Sequence, residues 1–133
     1  MSYIIWKDDY NFGLEEIDIQ HYQWANLIND LYALHTEPKN ADRLLDLIGK
    51  ICTHLELHFN AEENLLQKNK YPYLKLQKLE HEKIISRAYR CKNEFDAYRN
   101  VGDLTDFFKF ERDYFIDHTQ NLDRKYLPFI NKM

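Results

Sequence analysis

Turn-forming and strand-forming residues are scarce in this chain. Three glycines, three prolines and one valine occur in 133 residues. A β-sheet draws on β-branched residues and tight turns, so this shortage argues for helices. Cysteine is nearly missing too. Cys52 and Cys91 lie far apart and match no CxxC spacing, so both read as ordinary thiols. No apolar run approaches the ~20 residues that a membrane-spanning helix needs. The opening MSYIIWKDDYNFG has no basic region followed by a long apolar one, so it is not read as a secretion signal, and a cytoplasmic location is the default expectation. Excess positive charge is also lacking. The formal net charge is −4, with lysines and arginines scattered among acids, so neither nucleic acid nor a membrane surface is an expected partner. Internal repeats and low-complexity segments do not occur.

What remains is 44% hydrophobic and 30% charged, a balance that suits a single domain over residues 1–133 with one sizeable core. Its few breakers divide it. Gly13 ends an irregular aromatic arm carrying Tyr3, Trp6, Tyr10 and Phe12. TEPKNAD (36–42) reads as a turn with Asn40 or Asp42 as a helix cap. KNKYP (68–72) breaks at Pro72. RNVGD (99–103) reads as a third break, with Gly102 as stop and Asp103 as the next cap. The predicted helices are 15–36, 41–69, 73–99 and 104–122.

Each segment alternates steps of three and four. The inward stripes read Ile17, His21, Trp24, Ile28, Leu31, His35; then Leu44, Ile48, Ile51, Leu55, His58, Glu62, Leu65; then Leu74, Gln77, His81, Ile84, Ala88, Cys91, Phe95; and finally Leu104, Phe108, Glu111, Phe115, His118, Leu122. Short connections between four such helices predict an all-α, antiparallel up-down four-helix bundle with an irregular N-terminal arm.

Every stripe is interrupted by a histidine, and acids accompany two of them: Glu62 one turn after His58, and Asp123 five residues after His118. Burying an unpaired imidazole costs a few kcal/mol and a lone carboxylate more. One such residue is most simply a satisfied core histidine; four, one per helix, with two acids, are not. With adjacent helices antiparallel and a rise of ~1.5 Å per residue, His21, His58, His81 and His118 fall toward one end of the bundle. Imidazoles with carboxylates suit Fe, Mn or Zn, and two carboxylates could bridge two metals. In HLELHFNAEE (54–63), His58 and Glu62 lie inward and Glu63 points away. His35 ends the first helix far from this layer.

The chain resembles the hemerythrin family, and bacterial hemerythrins in particular. The similarity runs through WKDDYNFGLEEIDIQH, with its Trp, Gly and Asp-x-Gln-His; through HFNAEE; through YPYLKLQKLEH; and through HTQNLDRKY, where a histidine is followed five residues later by aspartate and then tyrosine. The resemblance implies a non-haem centre of two iron ions that takes up O2 reversibly. His21 and His58 would hold one iron and His81 and His118 the other. Glu62, Asp123 and an oxo or hydroxo group would bridge them.

Three departures stand out. Gln77 occupies a position where the family has a fifth histidine, four residues before His81. Its amide oxygen could ligate, water could fill the place, or that iron could be lost. Trp24 replaces a leucine beside the ligand pocket. His54 and Glu111 lie on the same side of the layer and are expected to pair, lining the pocket near Trp24. The expected function is binding of O2 or a related small diatomic for storage, delivery or sensing, with no catalytic residue assigned. The alternatives are iron-dependent handling of peroxide or nitric oxide at an open metal position, and a signalling bundle with a degraded site. The sequence leaves oligomeric state open, and with it whether the aromatic arm packs on its own bundle or on a neighbour.

Overall fold

The computed structural model describes residues 3–130, apart from the side chains of 9, 38, 101–103 and 121–123. Four α-helices carry it: α1 (Glu15–Leu34), α2 (Ala41–Lys68), α3 (Leu74–Tyr98) and α4 (Val101–Asp117). α1 packs on α2 and α4, and α3 packs on α2 and α4. With short connections this is the antiparallel up-down bundle. No helix among the described residues is long and apolar enough to cross a membrane.

The stripes turn inward largely as the periodicity predicts. Ile28 and Leu31 of α1, and Leu44, Ile48, Ile51 and Leu55 of α2, are wholly buried. Each such side chain contributes about 1.5–3 kcal/mol through burial. Leu66 rather than Leu65 is the buried residue near the end of α2, and Cys91 is half-buried. The core falls into two clusters. The larger spans all four helices from Trp24, Phe59 and Phe115 outward; the smaller joins Phe12, Ile17, Leu66, Tyr71, Tyr126 and Ile130. His21 lies between Phe12 of the smaller cluster and Trp24 of the larger.

The arm packs on its own bundle. The Ile4 N–H donates to Asn29 Oδ1 (2.6 Å), and Asn29 Nδ2 returns a bond to Ile4 O (2.9 Å). Trp6 meets Tyr10, Tyr22 and Phe115 by ring contacts. Gly13 sits at φ 80°, a left-handed conformation that favours glycine. The N–H groups of Phe12 and Gly13 then reach the Asp18 carboxylate, at 2.6 and 3.0 Å. That clasp seats Phe12 edge-on against His21.

Two boundaries differ from expectation. α4 begins at Val101, so Gly102 and Asp103 lie inside the helix rather than stopping and capping. The reversal is made by Arg99 at φ 51°, whose guanidinium bonds Asp42 at 3.0 Å. At its other end α4 stops being an α-helix at Asp117. His118–Leu122 form a π turn, and Asp123–Phe129 a 3-10 segment. Asn40 precedes α2, but its amide bonds Leu34 O instead of capping.

Candidate metal centre

Each helix delivers one imidazole to the layer: His21 from α1, His58 from α2, His81 from α3, and His118 at the point where α4 opens into the π turn. All four, and Glu62, are buried. Ligand atoms of His21, His58, Glu62 and His118 lie within 4.8 Å of one another. Glu62 stands at the centre. Its Oε2 is 3.6 Å from Nε2 of both His58 and His118, and its Oε1 is 3.1 Å from Nε2 of His81. One carboxylate therefore turns its two oxygens to two separate groups of imidazoles. Here His118 keeps company with His21 and His58, and His81 stands across the carboxylate from them.

The ring protons decide the chemistry. Gln20 Nε2 donates to Glu16 Oε1 (3.3 Å), which leaves Gln20 Oε1 as the acceptor for His58 Nδ1–H at 2.7 Å. His81 Nδ1–H donates to Glu63 Oε2 at 2.7 Å. A proton held on Nδ1 turns Nε2 of each ring toward the layer. The Nε2 atom of His81 and Oε1 of Glu62 face each other at 3.1 Å. The Nε2 atoms of His58 and His81 and Oε1 of Glu62 have no hydrogen-bond partner among the described residues. An unsatisfied buried group costs about 1–3 kcal/mol. A cation among these atoms removes that cost, so the donor set fits a metal of the Fe, Mn or Zn kind.

Protonation states agree. Burial pushes the His58 imidazole down to about 3, against the pull of Glu62. Burial likewise holds His21 well below the ordinary imidazole range, helped by His58 and His118. For Glu62, burial acts upward, but the imidazoles of His118, His58 and His81 outweigh it and hold the carboxyl well below its ordinary range. The Tyr126 hydroxyl donates to Glu62 Oε2 at 3.1 Å. Neutral imidazoles at His21 and His58 and an ionised carboxylate at Glu62 are ready ligands.

Aromatic rings close the layer. Phe59 stacks face to face on His81, with centroids 3.8 Å apart. Trp24, wholly buried, meets Phe115 at 5.1 Å, His118 at 5.6 Å and His58 at 6.1 Å. It forms a wall of the site, where the sequence places it.

Several expectations need correcting. His54 and Glu111 do not pair. His54 Nε2 bonds the backbone oxygen of Gln20 at 2.7 Å. A step of four residues rotates a helical side chain by about 40°, and here His54 faces α1 rather than the pocket. Glu111 is wholly buried, and neither carboxylate oxygen is bonded among the described residues. Burial pushes it up to about 8, with Arg87 opposing, so it is neutral at pH 7. Glu63 does not simply point to water, since it holds His81. Gln77 is buried to 8% exposure and lines a surface groove between α3 and the end of α4, where its side chain makes no hydrogen bond to the described residues. Asp123 has its side chain outside the described residues. Sequence reasoning gave no role to Gln20 or Glu63. The available signal was their position, each a polar residue directly beside a layer residue.

Residues 13–130 match the family model of the hemerythrin HHE cation-binding domain. The bacteriohemerythrin of Stenotrophomonas maltophilia is 29% identical over 103 residues, 77% of this chain and 67% of its own length. That of Pseudomonas aeruginosa is 30% identical over the same shares. That of Clostridium acetobutylicum is 26% identical over 129 residues, 92% of this chain and 98% of its own. Among solved structures, a leucine-to-alanine variant of hemerythrin superposes with a TM-score of 0.86 at 22% identity, covering 98% of each chain, which is a likeness of fold.

Proposed function

The chain belongs to the hemerythrin family, and on that premise we propose that it is a non-haem di-iron protein that binds O2 or a related small diatomic, with an altered ligand set and no catalytic residue of its own. The observation that carries this reading is Glu62: a buried, ionised carboxylate with one oxygen toward His58 and His118 and the other toward His81. His21, His58, His81 and His118 would hold the metals, with Glu62 and Asp123 between them. An iron pair supplies the electrons on which reversible O2 binding depends.

The protein's own residues do the rest. Gln20 and Glu63 fix which nitrogen of His58 and His81 faces inward, so no ring has to turn or lose a proton when metal arrives. Tyr126 donates to Glu62 Oε2 and helps keep that carboxylate in its ionised form. Trp24, Phe59 and Phe115 exclude water from the side facing the large core, which favours binding over turnover.

A second reading rests on Gln77. It lines an open groove, which favours a water-filled position over ligation by its amide oxygen. An open position is the feature that peroxide or nitric-oxide handling would need.

Metal analysis of protein expressed in iron-rich medium tests the first reading, with about two irons per chain expected and none overturning it. An optical spectrum separates the two: a charge-transfer band that comes and goes with O2 marks binding, and one that decays with oxidation of an added reductant marks turnover.

A further inference from the structure

Two rings of α2 reach across the seam to one residue of α1. His54 and His58 are a turn apart, with their planes 6° from parallel and centroids 6.5 Å apart. His54 Nε2 bonds the backbone oxygen of Gln20 at 2.7 Å, and His58 Nδ1 bonds its side-chain Oε1 at 2.7 Å. A backbone oxygen only accepts, so His54 carries its proton on Nε2, the opposite nitrogen from His58. Gln20 Nε2 donates to Glu16 Oε1 at 3.3 Å. Gln20 is therefore held at its carbonyl, its amide oxygen and its amide nitrogen.

The amide oxygen works against a rival. His58 Nε2 lies 3.6 Å from Glu62 Oε2. A neutral imidazole has one proton to place, and an ionised carboxylate is a stronger acceptor than an amide. A proton drawn to Nε2 would occupy the nitrogen that faces the layer. The Gln20 amide holds the proton on Nδ1 only while it stays close, and geometry of this kind has to be kept to about 0.5 Å. The amide is carried by α1 and the ring by α2, so the spacing of the two helices at this level decides it. Packing gives little help on the outer side. Ile19 and Leu57 flank Gln20 in a shallow groove and are 50% and 57% exposed. The bond from His54 ties the two helices at Gln20 itself.

We propose that His54 is a positioning residue of the metal centre: by tying the Gln20 carbonyl of α1 to α2, it keeps the Gln20 amide on His58 and the His58 proton on Nδ1. The proposal rests on the metal reading for its function, and on the hydrogen bonds alone for its geometry.

Chelator competition on the intact, iron-loaded protein tests it. Gln20→Leu removes the acceptor and is expected to lower iron affinity about 10- to 100-fold. His54→Leu should lower it by on the order of tenfold. His54→Gln, which keeps an N–H donor for the same carbonyl, should restore it. In the double variant the loss should equal that of Gln20→Leu alone, because His54 acts through Gln20. Unchanged iron affinity in His54→Leu would overturn the proposal. So would a His54→Gln protein as weak as His54→Leu, or losses that add in the double variant, which would mark a general loosening of the bundle. Nitrogen NMR of the metal-free full chain reads the His58 ring directly. The proton is expected on Nδ1 in the unaltered protein and in His54→Gln, and divided between both nitrogens in His54→Leu. A proton on Nε2 in the unaltered protein would overturn the proposal without any variant. An unaltered protein that takes up no iron would overturn the metal reading instead, and the nitrogen spectra would then decide the role of His54.

Discussion

Glu63 shows how much of this site depends on residues next to the ligands. It is half-buried, follows Glu62 directly, and holds the Nδ1 proton of His81 at 2.7 Å. A position one residue along a helix is turned by about 100°, which in isolation means facing away from the core. In a bundle the same rotation carries a side chain into the seam with the neighbouring helix, and there Glu63 meets α3. Period counting finds the residues on the bundle axis and overlooks those in the seams, which is why His58 and Glu62 were legible and Glu63 and Gln20 were not. Glu63→Ala should free the His81 ring to carry its proton on either nitrogen. Iron affinity is then expected to fall about 10- to 100-fold, as is usual when the partner of a ligating imidazole is removed, with the melting temperature of the metal-free protein nearly unchanged. Competition with a chelator measures the first and thermal unfolding the second. Equal iron retention in the two proteins would show that His81 needs no such support.

At the scale of elements, helix existence and the ends of the first three helices were legible to within two residues, and the ends of α4 were not. The 3-4 stripes survive because burial enforces them. The ends depend on single backbone conformations, and these need not be glycine. α2 closes with Lys70 at φ 54°, the Tyr71 N–H bonding Leu66 O at 2.9 Å and the Lys70 N–H bonding Gln67 O at 3.1 Å. This is the reversal that glycine normally makes. A side chain in that conformation costs roughly 1 kcal/mol, part of which glycine gives back through its freer unfolded state. Lys70→Gly should therefore stabilise the protein by about 0.5 kcal/mol, a rise of one to two degrees in melting temperature. Arg99→Gly should gain less, because Arg99 also bonds Asp42 at 3.0 Å and lies 3.6 Å from Asp96. A lower melting temperature for Lys70→Gly would show that Lys70 is not strained. The end of α4 was not read from the sequence, which predicted a continuous helix to 122. His118 and Asp123 are five residues apart, a spacing that falls about 140° out of phase on an α-helix. The π turn begins at His118 itself.

For the whole molecule, the layer of imidazoles and the lone carboxyl of Glu111 act on stability in opposite directions. His58 and His21 are depressed in the folded protein, while the unfolded chain protonates them near 6.5. Below about pH 6.5 the unfolded state binds more protons, and stability is lost as the pH falls. Glu111 is raised from 4.5 to about 8, so between those values the folded state holds the extra proton and stability falls as the pH rises. Between pH 4.5 and 6.5 the two imidazoles together outweigh the one carboxyl. Between 6.5 and 8 Glu111 acts against them alone. Stability should therefore peak near pH 6.5 and decline on the alkaline side by up to about 1.4 kcal/mol per pH unit. Glu111→Met keeps the side-chain volume and removes the carboxyl. Its advantage over the unaltered protein should be least at pH 5 and grow steadily up to pH 8, leaving a plateau above 6.5 in place of the decline. Urea unfolding of the metal-free protein from pH 5 to pH 9 measures both curves. A difference between the two proteins that stays constant across that range would mean that Glu111 is not held neutral by the core around it.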